Sequence, residues 1–262
     1  MTQSMWSTRE LTDKDEILSF LETDHPYAAY AIGDLEPEMF VHSTWTAAER
    51  EGRLGALLLC FRGLNPPVLF LMGEVDGLQV ILEERSHPKQ AYFTCRAKHL
   101  PLTRSFYRWE EVIPMWRMVL KRARFRPVES DCVRLTPRQS EELTELYALG
   151  GGDAFTSRQL QRGVFFGIRK DERLVAAAGT HLLSQTYGVA AVGNVFTHPD
   201  CRGRGYGTAT TSAVIVELLR LGIHDIVLNV AQDSDAAINV YEKLGFEHYC
   251  PFLEGRAIQL AN

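Results

Sequence analysis

Between Thr197 and Ala209 this 262-residue chain changes hydrophobic period, and that change constrains the fold more than any other feature of it. Gly188 to Thr197 reads as strand, whereas Ala209, Ala213, Val216, Leu218 and Leu219 are spaced to bury one face of a helix that Gly222 closes. Between the two periods stands Arg202-Gly203-Arg204-Gly205-Tyr206-Gly207. Glycines let a backbone turn sharply and come close to a ligand, and the free N–H groups of a first helical turn carry partial positive charge. Such a loop seats an anion, and Arg202 and Arg204 can add charge-assisted hydrogen bonds.

The chain as a whole does not attract polyanions. Its net charge is −5 and its pI about 5.9, so neither nucleic acid nor an anionic membrane is an expected partner, and any polyanion must be held locally. A hydrophobic fraction of 45% with 23% charged residues is that of an ordinary globular protein. No basic-then-apolar leader and no membrane-length apolar run is present, which predicts a cytoplasmic protein. Cys60, Cys95, Cys132, Cys201 and Cys250 form an odd, scattered set with no C-x-x-C pair, so buried reduced thiols and no metal are expected.

The length suits two domains. In the second half the expected order is a strand at Asp131 to Leu135, a helix from Pro137 to about Leu149, and a short helix after Thr156. An antiparallel meander follows over Gly163 to Arg169, Arg173 to Leu183 and Gly188 to Thr197. Then come the helix after the glycine loop, a strand at Asp225 to Val230, a helix from about Ser234 to Leu244, and a final extended stretch from Phe246. The first half can be read in the same order. It has a strand at Ser7 to Leu11, helices after Asp13 and near Pro26, and strands ending at Thr46, Phe61 and Met72. A helix from Glu74, a strand at Ala91 to Cys95, a helix after Arg96 and a strand near Val112 to Leu120 complete it. Arg126 to Glu129 is the expected boundary, giving domains 1–128 and 129–262. The fold class expected is α/β (α+β): two domains, each a mixed, mostly antiparallel twisted sheet flanked by helices.

Competing phosphate binders fail on chemistry. A P-loop needs Lys and then Ser or Thr after its last glycine, and Tyr206-Gly207-Thr208-Ala209 has no Lys. A Rossmann fingerprint needs G-x-G-x-x-G in a parallel βαβ unit, while here the spacing is G-x-G-x-G after a meander. Thr197-His198-Pro199 with Arg202, Gly205 and Gly207 resembles the (R/Q)-x-x-G-x-(G/A) loop of the GNAT acyltransferases. Downstream, Ala237-Ile238-Asn239-Val240-Tyr241-Glu242-Lys243-Leu244-Gly245-Phe246 is similar to the signature that closes that family's cofactor site. The resemblance covers about Asp131 to the C-terminus. The equivalent crossing of the first half, Leu69 to Gly77, has no basic glycine loop and carries Glu74 and Asp76 where a pyrophosphate would sit. That half therefore looks like a degenerate copy, as in tandem members of the family.

The resemblance implies an N-acyltransferase that moves an acetyl or other acyl group from acetyl-CoA (or another acyl-CoA) to a primary amine by direct attack in a ternary complex. The acceptor is a small molecule or a peptide amine, and oligomers are compatible with it. By the same resemblance the backbone of Val195, Phe196 and Thr197 pairs with the pantetheine arm, and Arg202, Gly203, Arg204, Gly205, Tyr206, Gly207 and Thr208 hold the diphosphate. Ser234 replaces the family's frequent Asn as a helix N-cap and cofactor contact, and Tyr241 protonates the leaving thiolate. The carboxylate that some members keep on the strand before the loop is absent from Ala190 to Asn194, so no base is identified. His181, Asp153, Asn194 and water are the substitutes. A non-catalytic acyl-CoA sensor and a scaffold with a vestigial loop are the alternatives from other classes.

Overall fold

A computed structural model describes residues 6–151 and 155–261. From the N-terminus the elements are β1 (Ser7–Leu11), α1 (Lys14–Leu21), α2 (His25–Gly33), α3 (Pro37–Phe40), β2 (Ser43–Arg50), β3 (Arg53–Phe61), β4 (Val68–Gly73), α4 (Val75–Glu84), β5 (Gln90–Cys95), α5 (Leu100–Phe106), β6 (Tyr107–Trp109) and β7 (Ile113–Leu120). They continue with β8 (Val133–Arg134), α6 (Ser140–Tyr147), α7 (Ser157–Arg162), β9 (Phe166–Lys170), β10 (Arg173–Ser184), β11 (Val189–Thr197), α8 (Tyr206–Arg220), β12 (Asp225–Ala231), α9 (Asp235–Lys243) and β13 (Phe246–Gln259). Two compact units result. One takes the chain up to Trp116 together with Cys250 onward, and the other is Arg117–Tyr249. The expected boundary is a single cut after residue 128, whereas contacts divide the chain after Trp116 and again after Tyr249, within β13.

In the first unit β1, β2, β3 and β4 form an antiparallel run, β4 pairs β5 in parallel, and the C-terminal part of β13 pairs β5 antiparallel. The second unit repeats the plan. β8, β9, β10 and β11 run antiparallel, and β11 pairs β12 in parallel. Each parallel pair is joined by a helix, α4 or α8, and each stops early: at Phe70 opposite Thr94 in the first unit, and at Val192 opposite Leu228 in the second. Both sheets are mixed and flanked by helices, as expected.

Local chemistry explains the elements. Asp13 caps α1 by accepting from the Asp15 and Glu16 amides, and those two acids complement the positive end of the helix. Thr136 and Thr156 form capping boxes with Gln139 and Gln159 that start the turns before α6 and α7. The α4 residues Leu78, Ile81 and Leu82 pack on Ala56, Leu58, Leu69, Leu71 and Phe93. In the second unit Leu143, Leu146, Tyr147 and Leu160 close over Leu135, Phe165, Leu174 and Phe196.

The buried face of α8 differs from the expected one. Val214, Ile215 and Leu218 are buried with Thr210, Thr211 and Ser212, while Val216 is 46% exposed. The small hydroxyl residues can go inside because the backbone satisfies two of them: Thr210 Oγ1 donates to Tyr206 O (3.0 Å), and Ser212 Oγ accepts from the Val128 amide (2.8 Å). The short elements α3 and β6 were not expected, and β2 runs past Thr46 to Arg50.

Gly245 ends α9 with φ +96°, a conformation that favours glycine, and a Cβ there would stand 2.8 Å from Arg124 C and 2.9 Å from Phe125 N. Gly245→Ala is expected to destabilise the chain by about 2 kcal/mol or more, since strain and overlap with backbone combine. Urea unfolding measures it, and an unchanged midpoint would refute this account of the turn.

Candidate functional site

Where β11 leaves β12 after Val192, it stays paired with β10 through Phe196 opposite Ala177 and Thr197 opposite Ala176. The His198 amide donates to Val175 O of β10 (2.8 Å). Alternation along a strand then turns the Phe196 N–H and C=O toward β10 and those of Val195 and Thr197 toward the gap. Of the three residues expected to offer free backbone, two face the opening. Phe196 instead contributes its ring to the core beneath, where it meets Tyr147 at 6.3 Å between centroids.

The loop follows directly. His198 Nδ1 accepts from the Asp200 amide (3.2 Å) and steadies the turn Pro199–Cys201, which ends at the buried Cys201. Arg202, Gly203, Arg204 and Gly205 are exposed. Gly203 and Gly205 have φ of +74° and +78°, and nothing lies within 4 Å of a Cβ at either. A Cβ on Gly207 would sit 3.5 Å from Thr197 Oγ1 and 4.0 Å from Val195 Cγ1, so the first turn of α8 lies against the open edge of β11.

The amides decide what this place can hold. The first helical bond of α8 is Ala209 N–H to Gly205 O at 2.9 Å, and Gly205 caps the helix with no side chain. Among the described residues no acceptor meets the N–H groups of Gly203, Arg204, Gly205, Tyr206, Gly207 or Thr208. Consecutive donors at a helix start, with left-handed residues between them, make a nest for an anion. Arg204 has no ion-pair partner among the described residues. Arg202 folds back instead, its Nε donating to Thr197 O (3.3 Å) and its guanidinium lying 5.8 Å from the Phe196 ring centroid. A diphosphate fits this donor set, and Arg202 can reach it only by releasing Thr197.

The lip across the gap is β12 and the helix that follows it. Ser234 holds the N-cap position of α9, but its side chain makes no capping bond, so that expected role is corrected. Tyr241 is 8% exposed and meets Phe246 edge-on at 6.0 Å. Among the described residues its hydroxyl has no hydrogen-bond partner, and burial alone pushes its pKa up to about 12.

The substitute bases fare poorly. His181 Nε2 accepts the Asn194 N–H at 3.2 Å, and the packing around its partly exposed ring lowers its pKa to about 4, so its lone pair is engaged and weakly basic. Asp153 lies outside the described residues. Asn194 is 6% exposed with φ +51°, and its backbone oxygen accepts from the buried Tyr147 hydroxyl. Tyr147 went unremarked in the sequence because it falls at helical spacing with Leu143 and reads as core. All five cysteines are unpaired, Cys132 alone being incompletely buried.

The equivalent gap in the first unit is sealed. Tyr27 donates its hydroxyl to Leu71 O (2.9 Å) and His99 Nε2 donates to Gly73 O (3.1 Å), while the Glu74 amide stays paired with Gly55 O of β3 (2.9 Å), as His198 is with Val175 of β10. Glu74 also pairs with Arg50 at 2.9 Å. A cavity of about 600 Å³ lies at this crossing, lined by Tyr27, Met72, Gly73, Glu74, Arg96 and His99 among others. It is an open depression, and the Leu71 and Gly73 carbonyls that would meet a pantetheine chain are already taken.

Residues 130–246 match the acetyltransferase (GNAT) family. A 65-residue segment is 38% identical to a mycothiol acetyltransferase of Geodermatophilus obscurus, covering 24% of this chain and 21% of that protein. A 61-residue segment is 36% identical to an acetyltransferase of Yersinia enterocolitica, covering 23% of this chain and 43% of that one. The chain thus spans well under half the length of these relatives. In overall fold it is similar to a GCN5-related N-acetyltransferase from Sphaerobacter thermophilus (TM-score 0.64, 15% identity, 98% of this chain and 97% of that one). It is also similar to a tandem GNAT protein from the clavulanic acid biosynthesis pathway (TM-score 0.61, 13% identity, 98% and 99%).

His99 and His181 are both held neutral, each with its pKa lowered from 6.5 to about 4 by burial, and His87 is shifted in the same direction. Between those pH values the unfolded chain binds more protons than the folded one, so stability is full above about pH 6.5 and is lost as pH falls toward 4. The loss is expected to reach at most about 3 kcal/mol for each of the two histidines. Urea unfolding at pH 7, 5.5 and 4.5 checks it, and a flat profile would show these rings to be solvated.

Proposed function

We propose, from the match of residues 130–246 to the GNAT acetyltransferase family, that this chain is an acyl-CoA-dependent N-acyltransferase acting on a primary amine, of a small molecule or a peptide, in the cytoplasm. The observation that carries the reading is the uncapped run of amides from Gly203 to Thr208 beside the unpaired edge of β11. These amides and Arg204 hold the diphosphate, with Arg202 joining them, and the backbone groups of Val195 and Thr197 pair with the amides of the pantetheine arm. Ser234, at the N-terminus of α9 with its hydroxyl free of capping, offers a further contact. Acetyl-CoA or another acyl-CoA would supply an activated acyl carbon.

This chain's own part is positioning and proton control. The Val195 N–H points into the gap, where it can donate to the acyl oxygen as charge develops there, the kind of fixed donor worth a few kcal/mol. Tyr241 donates to the departing sulfur. With its pKa near 12 the phenol is protonated at any working pH. A thiol of reference pKa about 8.5 is the stronger acid. The phenol therefore stabilises the departing thiolate by a hydrogen bond and need not surrender its proton. No side chain is assigned as base, and the acceptor amine loses its proton to water.

Acetyl-CoA is expected to bind one per chain, because the first unit's gap is closed by its own residues. At a hundredfold its dissociation constant it should add about 2.7 kcal/mol of stability. Gly205→Glu should abolish that shift by placing a carboxylate in the anion seat, and retention of the shift would move the cofactor elsewhere. Calorimetric stoichiometry and thermal unfolding read both results. Binding without thiol release across a broad amine panel would make the protein a sensor and not an enzyme.

Tyr241→Phe is expected to lower kcat by about tenfold to a hundredfold while leaving the acetyl-CoA Kd within about threefold. In the wild type, kcat should rise with pH as the acceptor amine deprotonates and should not fall before about pH 10, since Tyr241 stays protonated there. A descending limb between pH 8 and 10, or an unchanged kcat in the variant when chemistry limits the rate, would remove Tyr241 from the mechanism.

A further inference from the structure

The register of β11 slips by one residue at the point where the strand must turn its backbone into the gap. Gly193 stands opposite Gly179 and Phe196 opposite Ala177, so the residues between them hold one more member than β10 does. The extra residue is accommodated by Asn194, whose φ of +51° is a left-handed conformation seldom used by residues other than glycine. It is held there from three sides. The Tyr147 hydroxyl of α6 donates to Asn194 O at 2.5 Å, His181 Nε2 of β10 accepts the Asn194 N–H at 3.2 Å, and Asn194 Nδ2 donates to Gln159 Oε1 of α7 at 3.4 Å. Its Oδ1 is buried without a partner. A residue in a minority conformation that Asn tolerates better than most, partly unsatisfied yet fixed by three neighbours, is held there by its surroundings.

We infer that Tyr147 is a positioning residue: its hydroxyl locks Asn194 in the left-handed conformation, and that bulge aims the next N–H, that of Val195, into the gap between β11 and β12. Tyr147 touches neither cofactor nor acceptor. It acts through the peptide that precedes Val195, and the inference rests on the acyl transfer proposed above. Packing supports the assignment of cause. Tyr147 is wedged by Phe155 at 5.2 Å and Phe196 at 6.3 Å, so its ring cannot move away from the bulge. Burial raises its phenol far above the ordinary value, so it remains a proton donor at all working pH. Without the bulge, the two-residue alternation would carry on unbroken from Gly193, and the backbone groups facing the gap would change places with those facing β10.

The test is a rescue. Tyr147→Phe keeps the ring and removes the bond. It should lower kcat at least about tenfold while the acetyl-CoA Kd stays within about threefold, because the amides of the glycine loop are untouched. Asn194→Gly added to it should return kcat to within about threefold of wild type, since glycine adopts positive φ without needing the hydroxyl. A merely structural role for Tyr147 predicts loss of thermal stability and no recovery by glycine. Hydrogen exchange at residues 193–197 gives a readout independent of catalysis: protection should fall in the single variant and return in the double. An unchanged kcat with unchanged exchange in Tyr147→Phe, or a failed rescue by glycine in a folded double variant, overturns the inference. Wild-type protein that binds no acyl-CoA and releases no thiol would overturn the proposed function instead, and the exchange pattern would then decide the bulge alone.

Discussion

The parting of β11 from β12 after Val192 is the constraint on which the rest of the second unit depends. A parallel pair that separates leaves backbone donors and acceptors with no strand to meet, and such groups are costly unless water, protein or a ligand satisfies them. Here they open onto the first turn of α8, whose own amides are unpaired because a helix start has no preceding turn to accept from them. Strand edge and helix start form one surface of polar backbone, its amides unpaired and its Thr197 carbonyl met only by Arg202, complementary to a chain with amides at one end and phosphates at the other. Side chains contribute less than their number in the loop suggests. Arg202 rests on Thr197 and Phe196, so the unpaired amides are the donors the loop offers directly.

The first unit shows what happens when the same parting is kept and its use is lost. Its β4 and β5 separate after Phe70 and Thr94, yet Tyr27 and His99 supply partners for the Leu71 and Gly73 carbonyls. Each bond removes a group that a ligand chain would need. Glu74, ion-paired with Arg50, stands where the second unit has its arginine and glycines. The cavity that remains owes its shape to the shared architecture and lacks the donors that give the second unit its chemistry.

How much was legible in the sequence follows from which effects are local. The glycine loop, the short helix after Thr156 and the helix that runs to about Leu244 depend on residues close in sequence, and they appear where expected. The buried face of α8 was misplaced because hydrophobicity alone does not reveal that Thr210 and Ser212 can be buried once the backbone satisfies their hydroxyls. The bulge at Asn194 was invisible for a different reason. Nothing in Val192-Gly193-Asn194-Val195 announces a register slip, which arises only when β10 is laid alongside. Tyr147 could not be separated from its core neighbours until the far end of its hydroxyl had a partner. The membership of β13, divided between the units after Tyr249, likewise depends on pairing across long sequence distance.

A site made mostly of backbone has a consequence for what similarity can mean. Amide donors impose few side-chain identities beyond the glycines that permit them and the residues that hold the turn, so short matched segments suffice to transmit the cofactor geometry while the remainder diverges. The segments of about 60 residues shared with curated acetyltransferases are therefore compatible with different acceptors. Acceptor choice must rest on side chains, because only they can distinguish one amine from another by charge and shape. His181 is engaged with Asn194 and is not available as a base.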